Sequence, residues 1–444
     1  MNKVATMSAK ETVGNAKRTQ KLQMTLDGKS NLEDWNFSKA DTSYLTHGFH
    51  DYPARMIPQI AQRLIDRYTP NGGKILDPFC GSGTTLVEAQ LANRYAVGND
   101  INPLAVLLSK VKASPIDFEE KGFDAVSFFE AVQKEHLTAK REKKLPEPPT
   151  NIYHGLLHWF KEPVAVDLQF LYQAISDVKD DDIRDFLKVV LSDTAFRTSN
   201  IDLRSSRFIR IYHEKELAKF NPNVLKQFHI KLIDSTSRMN QFVRKLRALN
   251  IEPTLVTVEK GDARRLPFFE GEFDSAITSP PYGEEKSTIG YARWSKLSVA
   301  WLRLNENEIR DSNKDTLGAM ADKDTLERLN ELESPTALEI LRELVKTDPN
   351  RVKDALPFFF DYLTSLEEVH RVLKHGSYYC VVIGDRSIRK KMLDMEKVSV
   401  ELGTEAGFKH IQSFFRNIPM KLIPWSTPTG KTIARESIMV LQKE

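Results

Sequence analysis

The stretch Asp77-Pro78-Phe79-Cys80-Gly81-Ser82-Gly83-Thr84-Thr85 constrains the fold more than any other part of the chain. Ile75-Leu76 leads into it as a short apolar strand, and Leu86 to Ala92 follows with a helical pattern. Strand, glycine turn and helix form a unit that presents bare backbone at a helix N-terminus, with a carboxylate at the strand tip beside it. A second strand, Tyr95 to Gly98, ends on Asn99-Asp100-Ile101 and precedes a helix from Leu104 to Lys112. A third, Thr254 to Val258, passes through Glu259-Lys260 into Gly261-Asp262-Ala263. The fourth, Phe273 to Thr278, ends on Ser279-Pro280-Pro281-Tyr282. Such alternation predicts an α/β fold with a parallel sheet. Asp77, Asp100 and Asp262 then stand at successive strand tips.

A dinucleotide fingerprint needs a third glycine three residues after Gly83, and Leu86 stands there. The departure weighs against a pyrophosphate and is consistent with a nucleoside bearing a smaller appendage, such as S-adenosylmethionine. On that reading Asp77 meets the ligand's ammonium group, Asp100 the ribose hydroxyls and Asp262 the adenine amine. The expected cofactor lining is Asp77, Pro78, Phe79, Gly81, Ser82, Gly83, Thr84, Asp100, Ile101, Asp262 and Ala263. Cys80 is expected to pack rather than react.

The 444-residue chain as a whole sets broader limits. Its 41% hydrophobic and 28% charged residues suit a soluble globular protein with one large core or two moderate ones. No apolar run approaches the roughly 20 residues of a membrane span, and Met1 to Lys21 lacks a secretory apolar region. The two cysteines, Cys80 and Cys380, give no disulfide framework, so a cytoplasmic setting without membrane association is expected. A net charge of +3 names no partner; nucleic-acid binding would need clustered basic residues. Residues 1–40 read as a disordered basic tail and 41–114 as the cofactor-binding half of one domain. Residues 115–250 read as a helical insertion, with helices at Phe118 to Lys140, Leu156 to Val178, Ile183 to Phe196 and Val224 to Leu246. Residues 251–444 form the other half, with a helix from Phe358 to Leu373, a strand from Tyr378 to Ile383, and a closing strand pair at His410 to Arg416 and Ser437 to Leu441.

Taken together, the Asp77–Thr85 stretch and Ser279-Pro280-Pro281-Tyr282 resemble the amino-group DNA methyltransferases, which modify cytosine N4 or adenine N6. Thr46-His47-Gly48-Phe49-His50-Asp51-Tyr52-Pro53-Ala54 resembles the motif before their cofactor loop. The likeness covers about 46–112 and 254–284, and more weakly 355–442. It implies a Rossmann-like methyltransferase sheet carrying a large helical insertion, with S-adenosylmethionine as donor and no metal. It also implies double-stranded DNA as partner, with a base turned out of the duplex, and a cognate restriction endonuclease. Ser279, Pro280, Pro281 and Tyr282 are the catalytic residues on this resemblance. An exocyclic amine is a poor nucleophile because its lone pair delocalises into the ring. The Pro280 carbonyl and the Ser279 hydroxyl can accept its protons and localise that pair, while Tyr282 offers a stacking face.

Serine in the first position favours cytosine N4. Adenine N6, then guanine N2 in tRNA, then a non-catalytic DNA-binding role are the alternatives; Gly283 extends the tetrapeptide as in some tRNA enzymes. The cofactor loop precedes the tetrapeptide here, the reverse of most serine-type members. Two basic stretches are candidates for DNA contact: Arg197, Arg204, Arg207 and Arg210, and Lys286 with Arg293.

Overall fold

The computed structural model describes residues 34–149, 155–204, 208–253, 256–284, 290–304, 316–319, 324–418, 426–427, 430–431 and 435–444. Five strands run parallel: β1 (Lys74–Asp77), β2 (Tyr95–Asp100), β3 (Val256–Lys260), β4 (Phe273–Thr278) and β5 (Leu373–Gly384). Short hairpins pair β6 (Arg386–Ile388) with β7 (Lys391–Leu393), and β9 (Ser426–Thr427) with β10 (Gly430–Lys431). β11 (Arg435–Lys443) enters the main sheet antiparallel between β5 and β8 (Phe408–Asn417), giving the order β3-β2-β1-β4-β5-β11-β8.

Both faces of this sheet are covered, so its central strands bury successive side chains on both sides. Successive side chains point to opposite faces. Ile75, Ile277, Cys380 and Val382 join one core cluster, and Leu76, Ala276, Tyr379 and Val381 join the other. The first cluster takes in α1 (Pro58–Tyr68), α2 (Thr84–Leu91) and α3 (Pro103–Ala113). It continues through α4 (Ala125–Arg141), α5 (Glu162–Ser176), α6 (Asp181–Thr198) and α7 (Val224–Ala248), which lie between β2 and β3 in the chain, and then α8 (Tyr291–Leu302). The second cluster is closed by α9 (Pro335–Val345), α10 (Pro349–Val372) and α11 (Met395–Glu405). The result is a three-layer α/β sandwich. Among the described residues, no helix is long and apolar enough to cross a membrane.

Several boundaries differ from the sequence expectation for identifiable reasons. The helix expected from Phe118 begins at Ala125, because the Asp124 carboxylate accepts from the Ser127 backbone N–H and caps it there. Phe118 is instead buried against Phe186, 4.9 Å between ring centroids. The expected 156–178 helix is a single turn at Leu156–Trp159 followed by α5, with Pro163 in the first turn of the longer helix. α10 starts nine residues before Phe358 and runs through Pro357. Burial of Val352, Ala355, Leu356, Phe358 and Phe359 offsets the backbone hydrogen bond that the proline removes. Trp35, inside the stretch expected as tail, is fully buried and stacks on Phe414 of β8 at 4.7 Å. The rest of that tail, residues 1–33, lies outside the described residues.

One buried cation finishes the sheet. Lys443, at the end of β11, is 4% exposed, and its Nζ donates to the carbonyls of His370 and Leu373 at 2.8 and 2.9 Å. These lie where α10 ends and β5 begins, at the negative end of the helix dipole. Lys443→Met is expected to lower the unfolding free energy by roughly 1–3 kcal/mol, the cost of orphaned carbonyls. Urea denaturation checks this, and a change under about 0.5 kcal/mol would contradict it.

Candidate active site

In the sheet, β2 and β3 lie to one side of β1, whereas β4 and β5 lie to the other. The crevice at the carboxyl ends of β1 and β4 is therefore the topological switch point, where open α/β sheets bind ligands. Asp77 and Thr278, 201 residues apart in the chain, meet there: the Thr278 hydroxyl donates to Asp77 Oδ1 at 2.5 Å. The Phe79 backbone N–H donates to the same oxygen at 3.2 Å. Burial nevertheless dominates and pushes the Asp77 carboxyl up to about 6, against the opposing hydrogen bonds from Thr278, Thr85 and Phe79. Asp100, at the tip of β2, is also raised to about 6 by burial. Its two oxygens accept the backbone N–H groups of Gly81 and Asn102 at 2.9 and 2.8 Å.

The glycine turn is shaped by sterics. Gly83 has φ +82°, and a Cβ there would lie 2.8 Å from Cα of Ser109 in α3. Only glycine combines that backbone with that approach. Asn99 then ties two loops together, its Nδ2 donating to the carbonyls of Pro78 and Gly261 at 3.2 and 3.1 Å.

One cleft gathers Asp77, Pro78, Phe79, Gly81, Ser82, Thr84, Asp100, Ile101, Asp262 and Ala263 with Ser279 and Pro281. Tyr52, Arg55, Asn102 and Tyr291 complete its wall. Gly83 sits just behind it at the start of α2. Asp262 lines the cleft with its carboxylate already engaged: Arg264 contacts both oxygens, the shortest at 2.7 Å, and also pairs with Asp361 at 3.0 Å. Any ligand amine must share that carboxylate. Cys80 is buried, with Sγ 3.6 Å from Ser109 Oγ.

Beyond the cleft, the Ser279–Tyr282 loop folds onto the opposite core. Pro280 is buried, and Tyr282 is half-buried against that core beside Phe79. Ser279 Oγ lies 3.3 Å from the Tyr282 hydroxyl, which donates to Glu436 Oε1 at 3.2 Å. Arg416 Nε holds the other Glu436 oxygen at 2.9 Å. Burial pushes the Tyr282 phenol well above its ordinary value, so it stays protonated.

The family model of the N6/N4 DNA methylases matches residues 4–110. The type II methyltransferase M.MvaI of Kocuria varians is 32% identical over 426 residues, spanning 91% of this chain and 93% of that protein. M.BsoBI of Geobacillus stearothermophilus, another type II methyltransferase, is 23% identical, spanning 85% of this chain and 81% of its own length. The chain belongs to the type II amino-group DNA methyltransferases.

S-adenosylmethionine is the methyl donor of the enzyme, and the cleft suits it chemically. Two desolvated carboxylates at neighbouring strand tips match an ammonium group and a pair of hydroxyls, while Phe79, Ile101 and Tyr52 offer apolar surface to a nucleobase.

Three residues of the methyltransferase that sequence reasoning missed hold the loop after Tyr282. Glu284 is 1% exposed and pairs with Arg351 of α10 and with Arg386 of β6, the latter at 2.6 Å. The Arg386 guanidinium covers Gly283 so closely that a Cβ there would lie 2.0 Å from its Nη1. Nothing local in the sequence marks Arg386 or Glu436, which lie 102 and 154 positions from their loop partners.

The basic stretch expected to meet DNA is largely committed within the protein. Arg197 pairs with Asp193 and Asp51, both at 2.7 Å, and Arg204 pairs with Asp202 and Glu216 at 2.8 and 2.9 Å. Arg210 donates through Nε to the His158 carbonyl at 2.9 Å. Arg293 is exposed near the start of α8; Arg207 and Lys286 lie outside the described residues.

Gly283→Ala forces Arg386 away from a guanidinium position fixed by Glu284. The substitution is expected to destabilise the protein by about 1–3 kcal/mol, the usual cost of overpacking, as measured by urea unfolding. Gly376→Ala, with φ +76° and nothing within 4 Å of its Cβ, is the control for backbone strain alone. Gly283 is outside the left-handed region, so a loss under about 0.5 kcal/mol there would rule out the Arg386 clash.

Proposed function

We propose that this methyltransferase modifies N4 of cytosine in double-stranded DNA, and that Ser279, Pro280, Pro281 and Tyr282 form its catalytic loop. The observation that carries the reading is the serine at the first loop position, beside the Asp77 cleft and hydrogen-bonded to Tyr282. Serine there favours cytosine N4 within the family. Asp77 and Asp100 are the proposed holders of the ammonium and ribose groups of the cofactor, with Pro78, Phe79, Gly81, Ser82, Gly83, Thr84, Ile101, Asp262 and Ala263 around it. A restriction endonuclease of the same specificity is the proposed companion.

S-adenosylmethionine supplies a methyl group on a sulfonium leaving group; the chain supplies position and a route for a proton. Ser279 Oγ and the Pro280 carbonyl accept the two N–H bonds of the amine, which favours a pyramidal nitrogen with a localised lone pair. The nitrogen that gains a methyl must lose one proton. A chain of donors runs from Ser279 Oγ through the Tyr282 hydroxyl to Glu436 Oε1. We assign Glu436 as the end of that path, positioned by Arg416.

Mass spectrometry of nucleosides from methylated duplex DNA tests the assignment: N4-methylcytosine is expected, and N6-methyladenine or methylated tRNA would overturn it. Tyr282→Phe keeps the ring and removes the hydroxyl, and Glu436→Gln removes the terminal acceptor. Each is expected to lower turnover by about 100-fold with cofactor affinity unchanged. A Phe variant as active as the parent would eliminate the proton route.

Cofactor binding should depend on pH in a defined direction. Asp77 and Asp100 have folded values near 6, above the ordinary 3.8, so their ionised forms cost stability at neutral pH. As pH falls through about 6, protonation relieves that cost in the unliganded protein and removes the charge that binds an ammonium group. The rise in Tm produced by S-adenosylhomocysteine is therefore expected to shrink between pH 7 and 5. A constant rise across that range would show that neither carboxylate meets the ligand.

A further inference from the structure

Lys112, near the end of α3, has a fully buried side chain. Its Nζ donates to Ser82 Oγ at 3.3 Å, and among the described residues no carboxylate lies within ion-pair reach. The nearby charges make its position worse, because Arg55 and Lys231 are both cations. Arg55 donates to the His47 carbonyl and Lys231 to the Gly48 carbonyl. The facing histidines are occupied as well: His47 contacts Glu88 and His50 contacts Ser192, at 2.7 and 2.8 Å. Glu88, the partner of His47, also takes the Tyr44 hydroxyl at 2.5 Å. A buried ammonium with neighbours of its own sign and no counter-anion is costly, and a fold gains nothing by retaining it for packing.

Ser82 and Arg55 both line the cleft that holds Asp77. In the methionine moiety of the cofactor, the ammonium and the carboxylate are carried on one carbon atom. A ligand whose ammonium meets Asp77 therefore sets its carboxylate beside the next polar groups of the turn. We infer that Lys112 and Arg55 form a buried cationic seat for that carboxylate, with Ser82 as the contact through which Lys112 reaches it. The inference rests on Asp77 holding the ammonium, as proposed above.

A consequence follows for proton balance. Burial, Arg55 and Lys231 hold the Lys112 ammonium well below its ordinary value in the unliganded protein. An arriving carboxylate raises it again, so above the pH range in which Asp77 and Asp100 titrate, binding takes up a proton and affinity falls as pH rises. His47, His50, Asp193 and Asp51 also face this region, but none of them touches Ser82.

Calorimetric titration of the full chain separates the outcomes without using methyl transfer. The ligands are S-adenosylhomocysteine and its decarboxylated form, which keeps the amine, each measured in two buffers of different ionisation enthalpy. The parent protein is expected to bind S-adenosylhomocysteine at least about tenfold more tightly, with proton uptake confined to that ligand. Lys112→Met is expected to bring the two affinities within about twofold and to abolish the uptake, with Tm unchanged or higher. Should that variant fail to fold, Ser82→Ala and the uptake by the parent protein carry the same test. Equal affinity of the parent for both ligands, or an undiminished preference in Lys112→Met, overturns the inference while leaving the cofactor site intact. Failure of the parent to bind either ligand overturns the cofactor placement and this inference with it.

Discussion

The hydrogen bond from Thr278 to Asp77 ties together the two halves of the site. It spans 201 residues, and it exists only because β1 and β4 are neighbours at the point where strand order reverses. On one side of that point hangs the glycine turn with Asp77 and Asp100; on the other hangs the Ser279–Tyr282 loop. The adjacency is energetically demanding. It removes two carboxylates from water, which raises both, and it is sustained by two apolar cores that cover the sheet on its opposite faces. Helices on both faces thus do more than complete a layer architecture: they keep the switch point closed enough for its carboxylates to be desolvated.

How much of this was legible in the sequence depended on whether the information was local. The strand–turn–helix unit lies within residues 74–91, so its spacing exposes it, and the Ser-Pro-Pro-Tyr tetrapeptide is legible through its resemblance to a family when read with that unit. Boundary errors arose where a side chain elsewhere in the pattern decided the outcome. Asp124 caps α4 six residues after Phe118, and burial along α10 outweighs Pro357. Long-range partners were illegible for a different reason. No periodicity announces that Arg386 will cover Gly283, or that Glu436 on the last strand will receive the Tyr282 hydroxyl. The pairing of the arginine-rich stretch is partly legible. Asp193 stands four residues before Arg197 on one helix, and Asp202 stands two residues before Arg204, so partners were within reach in the sequence itself.

Gly283 shows how sterics can imitate a functional signature. As a letter after the tetrapeptide it suggested an enzyme of another nucleic acid. In the fold it sits under a guanidinium held by Glu284, where any side chain would collide. The glycine therefore reports on how the loop is buttressed. Ser279, by contrast, lines the cleft, and its contacts lead onward to Tyr282 and Glu436.

The charges around the glycine turn complete the argument about what the cleft selects. Acidic groups, Asp77 and Asp100, sit at the strand tips, whereas the cations Arg55 and Lys112 gather around Ser82. A purely cationic ligand would satisfy the first set and aggravate the second. A phosphate-bearing ligand would do the reverse and would press its charge against two desolvated carboxylates. An amino-acid zwitterion attached to a nucleoside presents both signs within two bonds, so on the roles proposed for these residues it would meet both sets at once.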